Sequence, residues 1–121
     1  MAGRPLTVGP VALTATYTTN ILNPAAAGSG TGYTPTASYI ILRHIGIVNK
    51  TGGAVTFRLF KGATGANAAG SEVVGYDQSV PANSRYDYYG AMRLDAADFL
   101  VGGASAGTSL TFEAEGEVYL A

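Results

Sequence analysis

The sequence predicts an all-β domain, an antiparallel β-sandwich or jelly-roll of about six to eight short strands. Three observations lead there. Segments rich in β-branched and aromatic residues are separated by clusters of glycine, proline and small residues, the punctuation of strands and turns. The C-terminal segment alternates without exception: Leu110, Phe112, Ala114, Gly116, Val118 and Leu120 fall on one side, and Thr111, Glu113, Glu115, Glu117 and Tyr119 on the other. A period of two assigns both faces and pins the register. No stretch carries the apolar period of roughly 3.6 residues that marks an amphipathic helix.

Taken in order, residues 1–10 hold two prolines and two glycines and read as an extended arm, with one domain over 11–121. Arg4, Pro5, Leu6 and Val8 are contact candidates if the arm reaches a neighbour; a frayed terminus has the same composition. Val11, Leu13, Ala15 and Tyr17 alternate with Ala12, Thr14, Thr16 and Thr18, giving a first strand with a threonine-lined outer face, which Ile21 and Leu22 extend or close. Residues 23–38 are small, glycine- and proline-bearing and long for a connection, so they read as a surface loop whose one large side chain, Tyr33, is a further contact candidate.

The chain is organised around residues 39–61, YIILRHIGIVN, KTGGA and VTFRLFK, whose pattern calls for a β-hairpin. On the second arm Val55, Phe57 and Leu59 face a core. On the first, Ile41, Ile45 and Ile47 share an inner face interrupted by Arg43, while Leu42, His44 and Val48 fall on the other side. An arm apolar on both faces is a central strand, covered by a second sheet or another subunit. Residues 62–71 form a loop and 72–80 a weaker strand. Pro81, Ala82, Asn83 and Ser84 make a turn, and residues 85–89 restart with three tyrosines. Phe99, Leu100 and Val101 follow Asp95, around which a helical turn is conceivable, ended at once by Gly102 and Gly103.

Charged residues make up 12% of the 121 residues, against about 25% in an ordinary soluble domain. Such a surface suits being covered; a merely polar skin of threonine, serine and asparagine is the plainer alternative. The net charge of −1, with scattered basic residues, leaves no footprint for nucleic acid. No run of about 18 apolar residues spans a membrane, and residues 1–13 lack the apolar core of a signal peptide. Without cysteine or clustered metal ligands, extra stability is expected from neighbouring subunits.

Little here carries chemistry. His44, the single histidine, sits mid-strand beside Arg43 and is expected to be packed or hydrogen-bonded there. Residues 62–71 are glycine-rich but lack the lysine and helix that phosphate binding requires. Asp77, Asp87, Asp95 and Asp98 have no calcium-loop spacing, and no two carboxylates are set up as a hydrolytic pair. No catalytic, cofactor-binding or metal-ligating residue is expected, nor a small-molecule substrate, so the chain is not expected to be an enzyme. Tyr86, Tyr88 and Tyr89 matter more: 86 and 88 share a face and 89 points opposite, so at least one reaches the surface or a subunit contact.

Arg43, His44, Ile45, Ile47, Asn49, Thr51, Gly52, Val55, Leu59 and Phe60, followed by Gly62, Ala63, Thr64 and Gly65, resemble small β-rich virion structural proteins of tailed bacteriophages. Tyr86, Asp87, Tyr89, Gly90, Leu94, Ala97, Asp98 and Leu100 are similar to the same group, so the resemblance covers residues 39–100 and includes no catalytic signature. It implies a head decoration or cement protein, a homo-oligomer and by preference a homotrimer. Such a protein is made in the host cytoplasm, binds the major capsid protein and resides on the capsid surface. A carbohydrate-binding module of a fibre or tail, with tyrosines stacking on sugar rings, is the alternative from another class; a neck or tail completion protein shares the chemistry of the first.

Overall fold

The computed structural model describes residues 4–22, 37–63, 65, 67–95 and 97–120. The strands are β1 (Arg4–Ala12), β2 (Thr19–Leu22), β3 (Ala37–Asn49), β4 (Val55–Gly62), β5 (Glu72–Val80), β6 (Ser84–Asp95), β7 (Phe99–Ala104) and β8 (Leu110–Leu120). They form two four-stranded antiparallel sheets, ordered β1-β8-β3-β6 and β2-β7-β4-β5. Only the β4–β5 connection stays within one sheet; every other connection crosses to the facing sheet, which makes the eight strands a jelly-roll.

The core lies between the sheets. From β1, β8, β3 and β6 it takes Leu6, Val8, Phe112, Val118, Ile40, Leu42, Ile45, Ile47 and Leu94; from the facing sheet come Leu22, Phe57, Leu59, Val80 and Leu100, all buried. Each such side chain withdrawn from water contributes about 1.5–3 kcal/mol, so the alternating pattern holds the layers together.

Residues 39–61 do not form a hairpin. β3 lies in one sheet between β8 and β6, β4 lies in the other between β7 and β5, and residues 50–54 carry the chain across. Two apolar arms with a short glycine turn look alike in sequence whether they pair with each other or face each other across a core. Asn49, the one buried polar residue among those described, fixes the crossing. Its amide donates to the carbonyls of Gly53 (2.8 Å), Val80 (3.0 Å) and Pro81 (3.3 Å), and its oxygen accepts from the backbone N–H (2.9 Å) and hydroxyl (2.7 Å) of Thr51.

The interruption at Arg43 is a β-bulge. Leu42 lies opposite Gly116 and His44 opposite Glu115, so Arg43 is one residue too many against β8 and shifts the alternation by one. Ile40 and Leu42 therefore point inward before it and Ile45 and Ile47 after it, while Ile41, expected inside, is half-buried on the outer side. Gly116 permits the bulge: a Cβ there would overlap the Ile41 carbonyl oxygen.

Three further boundaries differ from the sequence expectation. Residues 4–12 form β1 and pair with β8, so the division expected after residue 10 falls inside a strand. Residues 13–18, expected to continue a first strand, instead cross between sheets, with the hydroxyls of Thr14, Thr16 and Thr19 clustered at 2.7–3.1 Å. β7 continues through Gly102 and Gly103 to Ala104 because these glycines let neighbouring backbone approach: a Cβ would overlap the carbonyl oxygen of Arg58 at 102 and of Thr16 at 103.

Candidate functional surface

The outward face of the β1-β8-β3-β6 sheet gathers most of the polar chemistry. Along β8 the outer positions are Glu113, Glu115, Glu117 and Tyr119, and the bulge in β3 presents Arg43 and His44 to the same side. Three carboxylates in a row on one strand repel, so the neighbouring strand must supply partners. Arg43 Nε donates to Glu117 Oε1 at 2.9 Å. His44 Nδ1 lies 3.6 Å from Glu115, and its Nε2–H donates to Asp87 Oδ1 at 2.7 Å. Arg85 Nη2 donates to Asp87 at 2.8 Å and lies 3.6 Å from Glu113.

Gly46, between Glu113 and Asp87 in register, makes room for this arrangement: a Cβ there would stand 2.5 Å from Arg85 Nη2. The hydrogen bonds from Arg85, then from His44, hold the Asp87 carboxyl below its usual range, and Asp87 in turn raises Arg85. At the far end Arg93 donates to Asp95 at 2.7 Å and sits 3.9 Å over the Tyr39 ring, which stacks on Tyr119 at 4.5 Å.

His44 is thus a strand residue with both ring nitrogens turned to carboxylates and its ring stacked on Tyr89 at 4.6 Å. No hydroxyl nucleophile is hydrogen-bonded to it among the described residues. Beside it Thr7, Glu113, Ala114 and Glu115 line an open hollow of about 140 Å³, room for a few waters.

The contact candidates separate. Leu6 and Val8 are buried in the core, and Pro5 is exposed on β1. Tyr86 and Tyr88 lie on the inner side of β6, half-buried against the core, with Tyr86 5.4 Å from the Phe57 ring. Tyr89 points outward and is 74% exposed. Arg4 begins β1. Tyr33 lies outside the described residues.

A second polar cluster, on the other sheet, was not singled out from sequence. Arg58 grips Asp77 with two bonds (2.6 and 3.1 Å) and lies between the rings of Tyr17 and Tyr76, 4.3 Å from each. Its bonds lower Asp77 and are answered by a raised Arg58. The available signal was Arg58 itself, the one charge at an outward position of β4 before Lys61. Its partners are far away in sequence, and Asp77 reaches it from a left-handed backbone conformation (φ 53°) in a strand with two register shifts. All four arginines whose side chains are described, Arg43, Arg58, Arg85 and Arg93, are paired within the chain.

No family model matches the chain, and no curated protein matches it. Among solved structures it is similar to the coat protein of Tobacco streak virus, at 12% identity and a TM-score of 0.47, with 98% of this chain and 86% of that one covered. It is also similar to the Eiger TNF of S. frugiperda, at 14% identity and a TM-score of 0.44, with 100% and 96% covered. PirA is similar at 17% identity and a TM-score of 0.38, with 95% and 92% covered.

Proposed function

We propose that this chain is a virion structural protein, a decoration or cement protein that binds the major capsid protein of a tailed bacteriophage as an oligomer and stabilises the shell. The observation that carries the reading is the outer face of the β1-β8-β3-β6 sheet. Its three arginines are each paired with a carboxylate of the same chain, Arg43 with Glu117, Arg85 with Asp87 and Arg93 with Asp95, and Tyr39, Tyr119 and Tyr89 are interleaved among them. Covering such a face strands no unpaired arginine, and leaves Glu113 and Glu115, each 3.6 Å from its nearest basic side chain, to meet water or a basic group of the shell. Tyrosine offers contact area at little rotamer cost. The resemblance of residues 39–100 to small phage virion proteins and the low charge content support the same reading.

The mechanism is additive burial. A modest interface repeated over a closed shell contributes only in the assembled state, and linkage to the bound form raises the shell's resistance to heat. The homotrimer implied by the resemblance would place such patches around junctions between capsid subunits. The sugar-binding alternative asks for a tyrosine platform, and β6 does not offer one, because Tyr86 and Tyr88 turn inward and only Tyr89 outward.

The test is to add purified protein to shells assembled without it. Saturable binding and a higher disruption temperature are expected. Shells that neither bind it nor gain heat resistance would refute the reading.

A further inference from the structure

Four strand edges bound the two sheets, and three of them are protected against pairing with another chain. β1 carries Pro5 and Pro10 and is broken between Val8 and Val11. β2 is 4 residues long. β5 has two register shifts and holds Val74 (φ 64°) and Asp77 (φ 53°) in left-handed conformations. The fourth edge, β6, is the least protected: it runs for 12 residues without proline or a left-handed residue, has one register shift, and among the described residues no strand pairs with its outer side. Its shift against β3, at Gly90 and Ala91, leaves the alternation intact, with Tyr86, Tyr88, Met92 and Leu94 inward and Arg85, Asp87, Tyr89, Arg93 and Asp95 outward.

We infer that this edge pairs with the same edge of a second copy, antiparallel about a two-fold axis through Gly90, joining two sheets into one. The charge order selects the partner and the register. With Gly90 on the axis, Arg85 stands opposite Asp95 of the second copy and Asp87 opposite its Arg93, each pair occurring twice. Moving the axis one residue toward Tyr89 sets Arg85 against Arg93, and moving it one residue the other way sets Asp87 against Asp95. Both slips bring like charges together, so the sequence Arg-Tyr-Asp, repeated as Arg-Leu-Asp, is complementary to its own reverse in one register only. On the inner face the same register places Tyr86 beside Leu94 and Tyr88 beside Met92 of the second copy. That covers two tyrosines which the single chain leaves half-exposed at the end of its core. The inference rests on the oligomer half of the proposed function, sets a two-fold contact in place of the homotrimer that the resemblance implies, and does not depend on shell binding.

The chain has no cysteine, so introduced thiols report the register directly. Residues 89 and 91 of opposite copies are directly across from each other, with Cα atoms about 4.5–5.5 Å apart, within disulfide range, whereas two copies of residue 89 are diagonal at about 7–8 Å. Tyr89→Cys and Ala91→Cys proteins carrying different tags, mixed and mildly oxidised, should yield mainly the mixed disulfide. Sedimentation of the unmodified protein should show concentration-dependent two-fold association, weakened about tenfold by Arg93→Asp, which sets the introduced carboxylate against Asp87 of the second copy, twice per dimer. A parent that stays monomeric at every concentration, self-disulfides equal to the mixed one, or association unchanged in Arg93→Asp would overturn the inference. If Arg93→Asp does not fold by circular dichroism, the disulfide pattern decides alone. Shell binding measured on the same samples separates the two ideas, since each property can be lost while the other survives.

Discussion

Replacing Asn49 tests whether one side chain holds the crossing between sheets. Alanine there removes three donated and two accepted contacts. The bond to the Val80 carbonyl is fully buried, and stranding such an acceptor costs about 1–3 kcal/mol, whereas the partly buried partners at Gly53 and Thr51 lose about 0.5–1.5 kcal/mol each. Together these give about 2–6 kcal/mol, a large share of the roughly 5–15 kcal/mol that keeps a domain folded.

Aspartate at the same site is informative through its pH dependence. It keeps the acceptor toward Thr51 but sets an oxygen against three carbonyls, so at neutral pH Asn49→Asp should be worse than Asn49→Ala. Burial and carbonyl neighbours raise the introduced carboxyl's folded pKa above its unfolded value of about 3.9. Protonation then favours the folded state, and the deficit shrinks as pH falls from 7 through that raised value. The assay is urea denaturation followed by tyrosine fluorescence, at one protein concentration and at two pH values. An Asn49→Ala loss under about 1 kcal/mol, or an Asn49→Asp protein that gains stability as pH rises, would refute the reasoning.

Gly116→Ala should cost about 2 kcal/mol or more, because the added methyl meets backbone of Ile41 and Leu42, while Gly52→Ala, with open space around it, should stay within about 0.5 kcal/mol in the same denaturation assay. Asp77 and Asp87 have lowered folded pKa values, so their contribution is present above the unfolded value and lost as pH falls through the folded one. Asp77→Asn with Asp87→Asn should therefore be less stable than the parent at pH 7 and show a flatter decline below about pH 4, read from melting temperature against pH. Tyr89→Ala should leave the melting temperature nearly unchanged, since the ring is largely exposed, yet weaken shell binding about tenfold in a sedimentation assay.

The sandwich was legible in the sequence because most of its strands bury one face and keep strict alternation. β8 is the clearest case, with its inward Phe112, Ala114 and Val118 and its outward glutamates as expected. β3 was legible as a central strand but not in its phase, since a one-residue bulge at Arg43 imitates a strand that is apolar on both sides. Strand partners were not legible: residues 39–61 carry the same pattern for a hairpin as for a crossing, and the difference lies in long-range pairing with β6 and β8.

The polar surface was partly legible. Three glutamates on one side of β8 asked for water or basic partners, and the chain itself supplies Arg43, His44 and Arg85. The Arg58 cluster could not be foreseen because it assembles Tyr17, Tyr76 and Asp77 through a distorted β5.

The measurement that bears most directly on the central claim is an image reconstruction of phage shells assembled without this chain and then incubated with it. The account predicts symmetric copies on the outside of the head, over junctions between major capsid subunits, with the jelly-roll docked through its β1-β8-β3-β6 face. A particle whose head surface lacks this fold, or that carries it only inside the shell, would contradict the account.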